Sequence, residues 1–427
     1  MSARLHGRLG LFCAALAALL GVGAQPPTSP TDLLRVPAVR AALDLARAAE
    51  SETLADEIRF CEVPAPTFKE AARAELLRRS FQQLGLKNVR LDRAGNVLGD
   101  RLGTGARPHV VLSAHLDTVF PEGTTVAVSR AGTMLRGPGI GDDCRGLAVL
   151  IAVARALRDA NVQTPGLITF VATVGEEGLG DLKGSKELFG VSRTNGPAGA
   201  RSIDIDKFVS IDGTGLGVTN VGVGSVRYRV TFKGPGGHSF AAFGVPSPID
   251  AMGRAIAKIS DFQVPKNPAT TFAVGRVGGG TSVNSIAAEA WMEVDLRSVE
   301  PGPLAALEAG LRRAVELGVT EENERWNVPR TITAALERVG DRPAGKTPPD
   351  SAIVRAAEAV SKALGFPFTL HESSTDSNVP MSLGIPAITI GGGGRGYDAH
   401  APSESFDTSD SWMGTQRALL LTIALAQ

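Results

Sequence analysis

The sequence predicts an α/β protein, in which a catalytic domain with a mostly parallel sheet carries an inserted ferredoxin-like α+β domain, a lid or dimerisation module. Apolar, β-branched runs such as residues 167–174 have the length and composition of strands buried on both faces. Helical patterns lie between such runs, which is typical of parallel βαβ units. From about residue 222, apolar and polar side chains alternate instead, as in strands with one exposed face.

Length and charge narrow the class of protein. The chain has 427 residues, enough for two or three domains at about 100–200 residues each. Lysine plus arginine and aspartate plus glutamate both number 44, so the net charge is close to zero. This balance argues against nucleic acid or an anionic membrane as the main partner. A hydrophobic content of 43% with 50 glycines suits a soluble α/β enzyme.

The N-terminus has the features of a secretory signal peptide. Arg4 and Arg8 precede the apolar residues 9–20, which are too few to span a bilayer with ease. Small residues up to Ala24 provide a cleavage site, and no lipobox surrounds Cys13. We therefore expect export to the periplasm or the medium after cleavage near Ala24, with an uncleaved N-terminal anchor as the alternative.

Two cysteines, Cys61 and Cys144, remain once this segment is removed. Two cysteines do not make a disulfide framework, but one bridge between them is compatible with an oxidising compartment.

The predicted elements follow in order along the chain. Pro37 suits the first turn of a helix, where its missing N–H costs nothing, and Gly85 ends the next helix. Helices are expected at residues 37–59, 69–84, 248–259, 303–317 and 351–364, with another after the glycine-rich loop 137–143. Strands are expected at residues 88–100 (as a pair), 110–114, 167–174, 208–211, 226–232, 271–277, 290–296, 330–336 and 387–390.

These elements divide the chain into domains. The order β-α-β-β-α-β within the second half is that of a ferredoxin-like module. We therefore predict a signal peptide (1–24), a catalytic domain in two parts (25–221 and 337–427) and an inserted lid or dimerisation domain (222–336).

Potential metal ligands follow several strands of the larger domain. Glu176 and Glu177 are adjacent acids between two glycines, and considered alone they could simply form a solvated surface turn. In a parallel sheet, however, all strand ends of this kind face one crevice. An oxygen-rich site with one histidine for each metal suits two ions of Zn²⁺ or a similar metal. The candidate residues are His115, Asp117, Asp142, Glu176, Glu177, Asp212 and His400.

The motifs around these residues resemble those of the M20 metallopeptidases, which include peptidase T, glutamate carboxypeptidase and aminoacylase relatives. The resemblance runs from about residue 40 to the C-terminus in the family's order. Its motifs are residues 113–119 (SAHLDTV), 137–143 (GPGIGDD), 175–178 (GEEG), 236–239 (GGHS) and the terminal His400.

The resemblance implies a role for each residue of the crevice. His115 and Asp212 would bind one metal, Glu177 and His400 the other, and Asp142 would bridge the two. The carboxylate of Asp117 would accept the second N–H of His115 and fix its tautomer. Glu176 would be the general base, which takes a proton from the attacking water and later passes it to the leaving amine.

The resemblance also implies roles outside the crevice. His238, in the inserted domain, would help to hold the developing oxyanion, reaching the site from a partner subunit or on domain closure. Asn284 and Arg297 would orient the substrate. Residues 375–376 and 384–386 match the peptidase T branch, and Glu404 also fits.

Three positions depart from the family pattern. Cys144 and Arg145 stand where many members carry lysine and a small residue. The thiol of Cys144 is either an extra metal ligand or, as we favour, an apolar spacer at a helix start. Asn378 stands near the position where some acyl-substrate branches have arginine, which disfavours diacid substrates.

These expectations combine into an exported hydrolase with two divalent metals, Zn²⁺ being favoured over Co²⁺ or Mn²⁺. It would act on short peptides as an exopeptidase or dipeptidase, with a homodimer formed through the inserted domain. The first alternative is an N-acyl-amino-acid amidohydrolase with the same site. A non-catalytic metal or peptide binder is a second alternative, against which an intact Glu176 argues. The third is a structural or partner-binding role for the inserted domain.

The signal-peptide hypothesis predicts that the mature protein begins at Gln25, because Ala24 closes the small-residue cleavage site. N-terminal sequencing of protein purified from the native host measures this directly. A retained Met1 or a lipidated Cys13 would contradict the prediction.

Overall fold

The computed structural model describes residues 29–191, 203–328 and 331–427. The predicted signal peptide, residues 1–24, lies outside these ranges, as does Arg330 at the start of one predicted strand. Among the described residues, every helix is too short or too polar to cross a bilayer.

Eleven α-helices lie in the described residues. They are α1 (Pro30–Leu33), α2 (Pro37–Ala48), α3 (Glu50–Cys61), α4 (Ala71–Gln83), α5 (Arg145–Asp159), α6 (Lys183–Phe189), α7 (Pro248–Ser260), α8 (Pro301–Arg325), α9 (Ala352–Leu364), α10 (Asn378–Ser382) and α11 (Trp412–Leu425).

The strands of the described residues form four sheets. In chain order they are β1 (Lys87–Leu91), β2 (Val97–Arg101), β3 (His109–His115), β4 (Ser129–Ala131), β5 (Met134–Arg136), β6 (Leu167–Thr173), β7 (Lys207–Ile211), β8 (Val218–Gly222), β9 (Gly224–Lys233), β10 (Gly237–His238), β11 (Thr270–Gly279), β12 (Ser285–Ile286), β13 (Glu289–Ser298), β14 (Thr333–Arg342), β15 (Gly345–Lys346), β16 (Leu370–Ser373), β17 (Ala387–Ile390), β18 (Arg395–Tyr397) and β19 (Ser405–Asp407).

The largest sheet has its parallel strands at the centre. Its order is β1-β2-β6-β3-β7-β17-β8-β15, with β16 beside β8. The four central strands, β6, β3, β7 and β17, pair in parallel, and antiparallel pairs flank them. Buried aliphatic side chains of β3, β6, α5 and α11 form the main core. The predicted mixed α/β class with a mainly parallel catalytic sheet is therefore confirmed.

The parallel register brings the ligand-bearing strand ends to one edge. His115, the last residue of β3, is paired with Thr173, the last residue of β6. Glu176 and Glu177 follow β6 directly, and Asp212 follows the neighbouring strand β7. The carboxyl ends of these strands consequently open on a common crevice.

The second unit is a four-stranded antiparallel sheet with the order β11-β13-β9-β14. Helices α7 and α8 pack on one face of it, and the two layers enclose their own core. Along the chain the order is β9-α7-β11-β13-α8-β14, so the ferredoxin-like pattern expected from the sequence is present. The last strand, β14, begins at Thr333 and continues past Leu336 to Arg342, which places it later than the expected strand 330–336.

Two helices differ from their predicted bounds for reasons of packing. The pattern at residues 37–59 forms two helices, because the backbone leaves the helical conformation at Ala49. Both helices contact α5, and α2 also contacts α11. Helix α8 continues through Gly318 to Arg325, beyond the expected end at residue 317. A Cβ at Gly318 would lie 2.6 Å from the carbonyl oxygen of Ala251 in α7. Gly318 therefore permits close helix contact and does not end the helix.

One buried side chain joins both connections between the units. The amide nitrogen of Asn378 donates to the carbonyls of Val223, at 2.8 Å, and Pro343, at 3.0 Å. Val223 precedes β9 and Pro343 follows β14. The amide oxygen of Asn378 accepts the N–H of Thr375 at 2.9 Å. Asn378 thus ties both chain crossings to the catalytic sheet.

Candidate metal centre

The carboxylate of Asp142 lies between two histidines. Its Oδ1 is 2.9 Å from Nε2 of His115, and its Oδ2 is 3.1 Å from Nε2 of His400. His115 ends β3, Asp142 belongs to the glycine-rich loop before α5, and His400 lies between β18 and β19. Each oxygen of Asp142 therefore faces a different imidazole.

Two further carboxylates complete the cluster, one beside each histidine. Oε1 of Glu177 is 3.1 Å from Nε2 of His400, and Oδ1 of Asp212 is 3.9 Å from Nε2 of His115. The potential ligand atoms of His115, Asp142 and Glu177 all lie within 4.8 Å of one another. The structure thus brings together all five sequence-predicted metal ligands.

The charges of the cluster favour a cation in this space. Hydrogen bonds to Asp142 and Glu177 raise the pKa of His400 to about 10. Burial lowers the pKa of His115, but the neighbouring carboxylates, Asp143 first, raise it well above its ordinary value. Because both imidazoles prefer a positive charge beside the acids, the donor set of two nitrogens and several oxygens fits two divalent ions.

Asp117 holds the two-acid turn and lies beside the His115 ring. Its Oδ1 accepts the N–H of Glu176 at 2.9 Å, and its Oδ2 accepts that of Glu177 at 3.0 Å. The ring Nδ1 of His115 is 3.0 Å from the carbonyl oxygen of Asp117 but 3.7 Å from its Oδ1. The main-chain carbonyl of Asp117 is thus the nearer acceptor, and the Asp117 carboxylate beside the ring also raises the pKa of His115. That this carboxylate orients the ring stays a prediction.

Glu404 holds the glycine-rich loop from the other side. Its carboxylate accepts three main-chain N–H groups, those of Gly139 at 2.8 Å, Gly141 at 2.9 Å and Asp142 at 3.0 Å. These bonds explain why a glycine-rich segment keeps one conformation here. Gly139 has φ +80°, which glycine adopts without strain.

Glu176 is buried beside an arginine from the second unit. Its Oε1 accepts from Nη1 of Arg342 at 3.1 Å, and Nη2 of Arg342 also donates to the Glu176 carbonyl. Glu176 is 4% exposed and Arg342 is 4% exposed. Burial raises the pKa of Glu176 to about 8, although Arg342 opposes the shift.

A cavity of about 380 Å³ covers the cluster. Arg297, predicted to orient the substrate, lines it together with Arg227 and Arg342. Asp295 lies between two of these side chains, with Oδ1 3.2 Å from Nε of Arg227 and Oδ2 2.6 Å from Nε of Arg297. The other lining residues are Val119, Asp142, Glu176, Glu177, Gly178, Asp212, Ser373, Ser374 and His400.

His238 and Asn284 do not line this cavity. His238 lies in a small two-stranded sheet and Asn284 immediately precedes its second strand. The N–H of Ser239 donates to the Asn284 carbonyl at 2.9 Å. The side chains nearby are exposed, including Phe240 at 88% and Val283 at 103%. The structure therefore separates these two predicted residues from the metal-ligand cluster within one chain.

Sequence reasoning missed Arg342, Arg227 and Asp143. Arg342 is the last residue of β14 and stands just before Pro343. The proline marks the true end of this strand, which the sequence analysis places at residue 336. Arg227 looked like the polar face of an exposed strand. Asp143 accepts the N–H of His115 at 3.0 Å, and only its position beside Asp142 hinted at this contact.

Cys144 is neither a metal ligand nor a free apolar spacer. It forms a disulfide with Cys61, and the two Cα atoms are 5.4 Å apart. Both residues are completely buried. The bridge that the sequence left open is therefore formed.

The fold resembles those of solved peptidases. It matches the aminopeptidase PepT of Bacillus cereus ATCC 10987 with a TM-score of 0.67 at 21% identity, over 88% of this chain and 98% of that one. It matches the Bacillus subtilis YXEP protein, described as a dinuclear metal-binding peptidase, with a TM-score of 0.64 at 18% identity, over 89% and 99% of the two chains.

Sequence similarity points the same way. Carboxypeptidase G2 of Pseudomonas sp. (strain RS-16) is 28% identical over 239 residues, which cover 53% of this chain and 54% of that protein. The matched part thus spans about half the length of this relative. Residues 111–425 match the model of Peptidase family M20/M25/M40, a range that contains every residue of the cluster. This chain belongs to the peptidase family M20/M25/M40.

Proposed function

We propose that this M20-family hydrolase is an exported exopeptidase or dipeptidase that cleaves short peptides with two bound divalent ions. The observation that carries the proposal is the carboxylate of Asp142, whose two oxygens face two different histidines. A buried carboxylate, Glu176, lines the same cavity beside them. One shared acid with an adjacent buried base is the arrangement that two-metal amide hydrolysis requires.

The ligands divide into two sets. His115 and Asp212 would hold one ion, Glu177 and His400 the other, and Asp142 both. The ions would act as Lewis acids on water and on the scissile carbonyl. Zn²⁺ suits this mixture of imidazole and carboxylate, and Co²⁺ or Mn²⁺ are the alternatives.

Glu176 would act as the general base. It would take a proton from the attacking water and deliver it to the leaving amine, which requires a carboxyl group with a pKa near neutrality. Asp117 would hold the Glu176 main chain, and Arg342 would orient the carboxylate through its bond at 3.1 Å. Both contacts limit the positions available to the proton-transferring oxygen.

His238 would stabilise the oxyanion from a second subunit. Its separation from the cavity within one chain supports a site completed by a partner. Phe240 and Val283, both exposed beside it, would provide apolar surface for a homodimer through the second unit. Asn284, which lies with His238, would contact the substrate from the same side.

Arg297 would grip the substrate's free α-carboxylate. Nε of Arg297 donates to Asp295, so this contact fixes the position of the guanidinium at the wall of the cavity. A planar guanidinium can bind a carboxylate with two parallel bonds. Such a grip sets the distance from the C-terminus to the scissile bond and would restrict the enzyme to short peptides.

The competing function is hydrolysis of N-acyl amino acids, which present the same carboxylate and a similar amide. Asn378, at the position related to an arginine in some acyl-substrate branches, is buried and bonded to three main-chain groups. A side chain occupied in this way argues against a second anionic subsite. This disfavours diacid substrates, and the likeness to the aminopeptidase PepT favours a peptide over an N-acyl amino acid.

Export is supported by the Cys61–Cys144 disulfide, because such bonds persist mainly in oxidising compartments. The charged n-region and apolar residues 9–20 are the sequence basis of the proposal. The mature enzyme would then act in the periplasm or outside the cell.

The wild-type chain is expected to bind two zinc ions, and His115→Ala or His400→Ala should each bind fewer. Each substitution removes the only nitrogen donor of one ligand set. Metal analysis by mass spectrometry after dialysis gives the stoichiometry. His371→Ala, an edge-strand histidine outside the cluster, is the control and should retain both ions; full occupancy in His115→Ala would contradict the ligand assignment.

Glu176→Gln should lower activity strongly, because both proton transfers fail. The expected loss is at or beyond the upper end of the ~10²–10⁴-fold range that is typical of general acid–base catalysis. Turnover is measured on matched libraries of short peptides and N-acyl amino acids, with metal added back. The wild type should favour the peptides. Metal content of the variant should remain at two per chain, whereas parallel loss of metal and activity would mean that Glu176 and Glu177 have exchanged roles.

His238→Ala should lower kcat by about 10²–10³, the usual effect of removing one oxyanion donor, with metal content unchanged. Mixing His238→Ala with Glu176→Gln subunits should restore part of the activity if His238 acts across a dimer. Absence of recovery after verified subunit exchange would show action within one chain.

Arg297→Ala should abolish the preference for a free C-terminus. Wild-type enzyme should cleave a dipeptide far faster than its C-terminal amide, and the variant should lose most of this difference while still hydrolysing the amide. Arg229→Ala is the matched control, since Arg229 lies in the same sheet, is paired with Glu293 and does not line the cavity. Equal wild-type rates on acid and amide would assign the substrate grip to another group.

A further inference from the structure

One covalent bond joins helix α3 to the loop that carries Asp142. Cys61 is the last residue of α3, and Cys144 follows Asp142 by two positions. We propose that the Cys61–Cys144 disulfide is a positioning element of the metal centre, which keeps the Asp142 loop in register with the His115 strand end and thereby sets metal affinity. This inference rests on the two-metal centre of the proposed function.

Helix α3 is fixed to the His115 segment through Arg73. Nη2 of Arg73 donates to the Cys61 carbonyl at 3.3 Å, and Nη1 donates to the Leu116 carbonyl at 2.8 Å. Leu116 is the residue after His115. Arg73 is completely buried, so its guanidinium is a rigid link between the end of α3 and one metal ligand.

The Asp142 loop is fixed to the same helix at two points. The disulfide holds Cys144, and Nη1 of the next residue, Arg145, is 3.2 Å from Oε2 of Glu57 and 3.1 Å from Oε1 of Glu50, both in α3. Arg145 also donates to the Gly392 carbonyl at 2.8 Å, in the segment leading to His400. Cys144 and Arg145, the two neighbouring residues that depart from the family pattern, therefore both attach the Asp142 loop to α3.

The surroundings of the bond favour a fixed tie. Leu54, Ile140 and Phe406 are buried around the two sulfurs in a small apolar cluster. Reduction thus requires local opening of the loop next to Asp142. A disulfide that served only global stability would change the unfolding temperature without changing the affinity for metal.

The decisive comparison uses the double variant Cys61→Ala/Cys144→Ala. Zinc affinity is measured at 25 °C, against a chromophoric chelator, on folded protein. The double variant should bind zinc about 10–100-fold more weakly than wild type, the usual effect of losing a group that orients metal ligands. Leu157→Ala, a fully buried position of α5 far from the loop, is the control and should lower the unfolding temperature without this loss of affinity.

A second measurement uses the wild-type chain alone. Tris(2-carboxyethyl)phosphine breaks the Sγ–Sγ bond; the phosphine is oxidised to its oxide with oxygen from water, and the protein gains two thiols. The buried bond is reduced from the locally opened loop, and bound zinc stabilises the closed loop. Zinc-loaded protein should therefore be reduced more slowly than metal-free protein. Thiols are counted after denaturation at successive times.

The outcomes separate the two proposals. Equal zinc affinity in wild type and double variant, or equal reduction rates with and without zinc, overturns the positioning role and leaves the proposed function intact. A wild-type chain that binds no zinc overturns both. If the double variant does not fold, the reduction rates of the wild-type chain alone decide.

Discussion

The carboxylate of Asp142 is the constraint on which the rest of the structure depends. Its two oxygens must reach two imidazoles, one 27 residues before it and one 258 residues after it. The parallel sheet provides His115 at the end of β3, and the segment after β17 returns His400 to the same edge. Glu404, four residues later, binds the main chain of the Asp142 loop, so one segment supplies both a ligand and the support of the neighbouring ligand.

The site concentrates acids that would repel one another in the absence of cations. Asp142 lies between His115 and His400, Asp212 is 3.9 Å from His115, and Glu177 is 3.1 Å from His400. Burial raises the pKa of Asp212 well above its ordinary value. Positive charge among the carboxylates relieves this repulsion, as does protonation of Asp212. Protons on the imidazoles can provide this charge, and divalent ions provide more of it, so metal binding also contributes to folding free energy.

The sequence was sufficient for the parts that depend on local pattern. Four of the five candidate ligands follow a buried strand or stand in the loop 137–143, and a parallel sheet brings such strand ends together. His400 lies after the exposed strand β18 and was found through the motif resemblance. Arg342 could not be found in this way. Its contact with Glu176 depends on the length of β14 and on the packing of the second unit against the catalytic sheet. Both are features of the tertiary structure that a local sequence pattern does not predict.

The misplaced bounds have the same origin. Gly318 carries the usual signal for a helix end, yet here it lets α8 approach α7, and only the tertiary contact separates these meanings. Ala49 carries no break signal in the sequence, yet the helix is interrupted there and both α2 and α3 pack against α5. His238 matched a motif, but a motif specifies a residue and not its place in the fold, and His238 does not line the cavity.

The amide of Asn378 binds the carbonyls of Val223 and Pro343, so the chain enters and leaves the second unit through neighbouring points. Because both ends of the inserted unit lie within reach of one side chain, the unit can be lost or replaced while the two connecting points in the catalytic domain keep their positions. The second unit can then change in evolution or by engineering without moving a single residue of the His115–Asp142–His400 cluster.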